Sequence, residues 1–313
     1  MKKLLTFCGL VLLSLGASAQ MFEPHVGIGV GVGTTGIAID AGITLNDYLG
    51  VRGGVDIMPK FKVNKDIDLE TDGVNRKLSQ MTQEIKDLND QLEKYNLKPV
   101  DLRQYPGGNL PNKLELQGKL DNTLGHILID IHPFKTSFHL TIGAYFGKDE
   151  VIEVYNKEDG FLKPINAYND ALIFAQTQTP SNSTDPQNVR DVVDKYGLTM
   201  IGGKLGDYFV TPNPAENGDV RAYAKVKSFR PYVGLGFGRA VPKKRIGCQF
   251  DLGVQFWGKP EIFIPTYDKD TKTYQYEKID GDKAGDDAGK VLKTISKISV
   301  YPVLNFRLVG RIF

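Results

Sequence analysis

Cysteine is nearly absent from this chain of 313 residues: only Cys8 and Cys248 occur. Cys8 lies in an N-terminal stretch with the pattern of an export leader, which leaves Cys248 alone and excludes an intrachain disulfide framework. Beyond the leader, no run of about eighteen apolar residues exists, so an inner-membrane helix is excluded. An excess of one charge is also missing. Setting Lys2 and Lys3 aside from the 39 basic residues leaves 37, equal to the 37 acidic ones. Nothing global therefore argues for nucleic acid or another polyanion.

What is present begins with that leader. Lys2 and Lys3 form a positive start, Leu4 to Leu15 a short apolar run, and Ala17-Ser18-Ala19 a small-residue cleavage site. The apolar run is too short to span ~30 Å of hydrocarbon. Residues 1–19 are expected to be a signal peptide, with a mature chain from Gln20.

Strict alternation then recurs along the chain. Val26, Ile28, Val30 and Val32 alternate with glycines, and after Thr34-Thr35-Gly36 the residues Ile37, Ile39, Ala41, Ile43 and Leu45 share one face. Asn46-Asp47 marks a turn, and Leu49 to Ile57 alternate again. Further segments of period two run over 113–133, 138–147, 229–238, 246–257 and 298–312. In the fourth, Leu114, Leu116 and Leu120 are even while Ile127, Ile129 and Ile131 are odd, so a bulge is expected near Asn122–Gly125. Eight such strands predict an all-β fold, an eight-stranded antiparallel up-and-down transmembrane barrel.

The connections agree with this reading. Asn46-Asp47, Pro133–Thr136 and Val241–Arg245 are short, whereas insertions at about 63–112, 149–220 and 267–290 are long. Short periplasmic turns and long outer loops are usual for outer-membrane barrels. A soluble lipocalin-like barrel would show the same alternation with the faces reversed. The non-apolar face here is dominated by glycine and balanced charge, which suits a crowded interior better than a solvated surface.

By parity that interior holds Asp40, Asp56, Asp130 and Asp251 with Arg52, Arg230 and Arg307. Desolvation costs several kcal/mol per unpaired charge, so an ion-pair network plugging the lumen is expected. Asp40 should lie opposite or diagonal to Arg52, and Asp130 directly opposite His139. Eight strands leave room for side chains or one small ligand, which makes a wide pore improbable.

The glycine-alternating first hairpin, the strands Pro231–Gly238 (PYVGLGFG) and Asp251–Gly258 (DLGVQFWG), and the terminal YPVLNFRLVGRIF resemble the small eight-stranded outer-membrane barrels, the outer membrane protein A, X and W types. The resemblance implies the cell outer membrane of a Gram-negative bacterium, contact with outer-membrane lipid and handling by the barrel-assembly machinery. It also implies a terminal assembly signal, here Phe306, Leu308 and Phe313, although Arg311 stands where that signal usually has an apolar residue.

Other motifs carry less. Gly31 to Gly36 matches GxGxxG, but a strand follows instead of the helix a dinucleotide site needs. Ser137 and His139 share a face and read as an interior hydrogen-bonding pair, not as a hydrolytic site. The acidic stretch from Asp280 to Asp287 has Val291 where a calcium loop needs a bidentate Glu. Asn182-Ser183-Thr184 is a sequon of little meaning in a bacterial context. No catalytic residue, metal site or cofactor is expected.

The long insertions have order of their own. Val74, Leu78, Met81, Ile85, Leu88, Leu92 and Tyr95 follow a 4-3 spacing, an amphipathic helix packed on its own barrel or loops, with a partner-binding stripe as the alternative. Asp185-Pro186 is expected to cap a short helix through Val189, Val192 and Val193 that ends before Gly197. Residues 165–176, with Ile165, Tyr168, Leu172, Ile173 and Phe174, form a third apolar group, and the three should pack as an extracellular cap. Function then falls into three classes: a structural or surface-binding barrel whose loops engage a protein or surface ligand, a narrow conduit for small or apolar molecules, and a lipid-modifying enzyme. The first is the expected one.

Overall fold

The computed structural model describes residues 24–59, 61–68, 81–102, 105, 113–120, 122–178, 188–285, 290, 293–294 and 296–312. The leader, Val74, Leu78, the sequon, Asp185-Pro186, Asp286-Asp287, Val291 and Phe313 lie outside them.

Eight strands close a barrel: β1 (His25–Gly33), β2 (Gly36–Thr44), β3 (Leu49–Ile57), β6 (Thr123–Ile131), β7 (Phe138–Gly147), β12 (Phe229–Phe237), β13 (Ile246–Phe256) and β16 (Val300–Arg311). Each pairs antiparallel with the next, and β16 returns to β1, with Gly27 opposite Arg311 and Gly33 opposite Asn305. Closure leaves no unpaired edge, which is the condition for a sheet to cross lipid. Alternation then sorts the side chains. Ile28, Val30 and Val32 are each more than half exposed, and Ile39, Val55, Ile127, Ile142, Val233, Leu252 and Phe306 extend the same apolar belt over the other seven strands. Soluble monomers rarely expose so continuous an apolar surface. No helix among the described residues is long and apolar enough to cross a membrane, so the strands carry the crossing.

Five of the barrel strands continue past the belt into a second sheet. It contains β4 (Phe61–Asp68), β5 (Lys113–Leu120), β8 (Glu150–Asn156), β9 (Gly203–Leu205), β10 (Tyr208–Val210), β11 (Arg221–Lys225), β14 (Glu261–Asp268) and β15 (Thr273–Lys278). Its order, β4-β5-β8-β11-β14, follows the barrel order β3-β6-β7-β12-β13. Sequence patterning predicts irregular loops over much of this sheet. The strands escape it because they are short and their outward faces are polar.

The expected bulge near Asn122 needs correction. Even-numbered side chains are the buried ones in both β5 and β6: Leu114 in the first, Leu124, His126, Leu128 and Asp130 in the second. The burial phase does not change; the surroundings do. Within the belt the inward face is polar and the outward one apolar, whereas above it the leucines turn inward to the cap. The extra residue sits on the neighbouring strand. From the pair Leu120–Ile152 to the pair Leu124–Gly147 the neighbouring strand covers five positions and this one four.

Among the described elements the cap holds three α-helices: α1 (Thr82–Lys94), α2 (Lys163–Gln178) and α3 (Val189–Tyr196). Met81, Leu88 and Leu92 of the first group, Ile165, Tyr168 and Leu172 of the second, and Val189, Val192 and Val193 of the third share one buried core. Of the stripe, Met81, Leu88 and Leu92 are buried in that core and Ile85 packs against it partly buried. The cap of α3 is Asn188, not Asp185. Its side chain accepts from the Asp191 amide at 3.0 Å while Asp191 accepts from the Asn188 amide, a reciprocal capping box. The helix ends at Gly197, whose φ of 58° is the left-handed value glycine tolerates best.

Candidate functional site: the charged lumen

The lumen is built from the inward residues of all eight strands. Asp40, Arg52, Asp56, Asp130, His139, Arg230, Asp251 and Arg307 are all buried. Arg52 on β3 crosses to β13 and donates two hydrogen bonds to Asp251, each 2.8 Å. Its Nε stands 3.1 Å from Asp130. Asp130 also accepts from the Thr141 hydroxyl at 2.7 Å and the Gln249 amide at 3.1 Å. His139 Nε2 lies 2.9 Å from Asp251. Arg307 on β16 reaches Asp40 and the Gln249 side-chain oxygen. His126 stands between two carboxylates, 3.5 Å from Asp56 and 4.0 Å from Asp40.

Register decides these partners. Asp40 opposes Gly54 while Arg52 opposes Gly42, so the two are diagonal neighbours. Asp130 faces Thr141, not His139 as the turn count predicted. The connection of residues 132–137 is longer than the count allowed, because His132 is buried and bonded to the Thr136 and Phe138 carbonyls, each 3.1 Å away. Ser137 is exposed on that turn, and only its backbone carbonyl meets the His139 ring, at 3.3 Å. The expected interior Ser–His pair is thus not formed.

Arg230 also departs from expectation. It is fully buried but sits at the cap end, donating to the carbonyls of Lys227 (2.9 Å) and Lys148 (2.7 Å) and to the Asn122 side chain (3.1 Å). It ties three strand ends together instead of joining the ion pairs. Leu124, Leu128, Tyr145, Tyr232 and Val303 form an apolar cluster interleaved with the charges, with Leu124 opposite Asp56 and Leu128 opposite Arg52. His126 was overlooked in the sequence, although it shares parity with Asp130 four residues on.

Interior glycines make this filling possible. A Cβ on Gly29 would lie 2.6 Å from Arg307 Nη2, and one on Gly253 2.5 Å from the Tyr232 hydroxyl. Large side chains occupy the volume that neighbouring glycines leave.

Donor atoms of Asp130, His139 and Asp251 lie within 4.8 Å of one another, a spacing a metal ion would accept. Arg52 already supplies positive charge to both carboxylates, so the arrangement is accounted for as an ion-pair core. Of the assembly residues, Phe306 and Leu308 face outward from β16, half or more exposed.

No protein-family model matches the sequence, and no curated protein does. Among solved structures, the chain is similar to Acinetobacter baumannii CarO, at 12% identity and a TM-score of 0.39 over 92% of this chain and 97% of that one. For Acinetobacter baumannii CarO2 the figures are 13% and 0.40, over 93% and 99%. For a major outer membrane protein from Thermus thermophilus they are 11% and 0.30, over 92% and 99%. The chain's own geometry carries the conclusion. A closed eight-stranded sheet, apolar over its whole circumference and filled with buried polar and aromatic side chains, is a membrane-spanning β-barrel.

Proposed function

We propose that this is an outer-membrane protein whose lumen is shut by its own side chains. It acts as a structural or surface-binding protein through its ordered extracellular cap, and not as an enzyme. The observation that carries this reading is the Arg52 clamp on Asp130 and Asp251, drawn from opposite walls of the barrel. With Arg307 on Asp40, it sets buried charge across the path a solute would take. What remains for recognition is the outer surface of the cap, which a single core of three helices holds in one shape.

Planar-bilayer recording on the full-length protein tests the closed lumen. The expected record is flat at moderate voltage. Discrete conductance steps would favour the conduit instead. Binding of the protein in lipid vesicles to host or neighbouring-cell surfaces, lost on protease removal of the cap, tests the role of the loops.

A further inference from the structure

The mature chain is formally neutral, yet one pole of the barrel is not. The end opposite the cap consists of three short connections, the start of β1 and the end of β16. Its described cations are Lys135, Arg239, Lys243, Lys244, Arg245 and Arg311, against one acid, Asp47. Arg239 is spent on structure: it donates to the Asp47 and Lys135 carbonyls and ties two turns together. Lys243 lies 3.7 Å from Asp47. Lys135, Lys244 and Arg245 are exposed and have no carboxylate partner among the described residues.

The cap end is different. There Lys225 pairs with Glu150, Arg221 with Glu153 and Glu216, and Lys157 with Glu115. Among the described residues, a positive excess is thus a property of the short-turn pole and not of the mature chain as a whole.

That pole adjoins the lipid belt directly. Arg245 precedes Ile246, which is 69% exposed, and Lys135 follows Phe134, which is 70% exposed. Tyr48, Phe134, Phe138 and Phe237 form an aromatic edge there, with Lys135 4.9 Å from the Tyr48 ring centre. Aromatic rings at this level mark the boundary between hydrocarbon and headgroups. Cations one residue beyond it stand at phosphate depth.

We infer that Lys135, Lys243, Lys244 and Arg245 form a binding ring for anionic phospholipid headgroups in the leaflet at the short-turn pole. The inference rests on the membrane-spanning reading. Each cation near a charged leaflet adds attraction that falls within a Debye length.

The test is native mass spectrometry of the full-length folded protein, released in mild detergent with equimolar phosphatidylglycerol and phosphatidylethanolamine. Phosphatidylglycerol should be retained preferentially, and K243Q/K244Q/R245Q should cut that preference about tenfold or more. K243R/K244R/R245K should keep it, and added salt should weaken it. Equal retention of both lipids by the unaltered protein would overturn the proposal. So would an unchanged preference in the glutamine variant, or displacement of phosphatidylglycerol by soluble peptidoglycan fragments. Insertion into neutral vesicles, followed by heat-modifiable migration in gels, is scored separately. Failure there sinks the membrane reading itself, whereas insertion without lipid preference sinks only the ring.

Discussion

Arg52 and Asp251 hold each other across the lumen, from β3 and β13, through two hydrogen bonds of 2.8 Å each. The pair is buried on both sides and shares its guanidinium with Asp130. Deleting one member of such a pair strands the other in low dielectric. Arg52→Met should therefore cost about 3–5 kcal/mol. The measurement is the temperature at which the folded band converts to the unfolded one in gels. Adding Asp251→Asn and Asp130→Asn to Arg52→Met should recover part of the loss, because no uncompensated carboxylate then faces the gap.

Glycine tolerance should divide by what each position faces. Gly31→Ala puts a carbon 2.6 Å from Arg307 Cγ, so Arg307 must shift away from Asp40 and the barrel should melt lower. Gly125→Ala meets nothing closer than 3.9 Å and should stay within about 0.5 kcal/mol of the unaltered protein. Equal effects at both sites would remove the crowded-lumen account.

The cap should unfold apart from the barrel. Leu92 is 1% exposed in the shared helical core, and Leu92→Ala should cost that core about 2–5 kcal/mol. Limited proteolysis should then cut the cap readily while the barrel keeps its heat-modifiable migration. Loss of both together would show that cap and barrel form one cooperative unit.

Asp170 gives the cap a pH dependence of known sign. Burial lifts its carboxyl above the ordinary value, against hydrogen bonds from Tyr274 (2.8 Å) and Asn166 (2.9 Å) that lower it. A folded-state value above the unfolded one means the stabilising contribution is complete below the unfolded pKa. It is lost as pH rises through the folded value. Asp170→Asn should therefore stabilise the cap at neutral pH, with the advantage shrinking as pH falls toward about 4. Proteolytic half-lives of the two proteins across that range decide it.

The barrel was legible because period two is a property of the chain alone. Ile28, Val30 and Val32 alternate with glycines in any environment, and lipid only decides which side they face. The lumen charges were legible for the same reason. Their partners were not, because opposition across strands depends on turn length. The buried His132 lengthens one turn and places Thr141, not His139, against Asp130. The second sheet was hidden by the reversal of apolar side between Leu114 and Ile127. Two faces of one wall read, in one dimension, as a slipped phase.

The cap core joins α1, inserted between β4 and β5, to α2 and α3, inserted between β8 and β9. Neither segment can complete that core alone, because Leu92 comes from the first and Leu172 and Val193 from the second. Closing the cap is therefore a long-range event that waits on stretches far apart in the chain, and its loop entropy exceeds that of any hairpin in the wall below it.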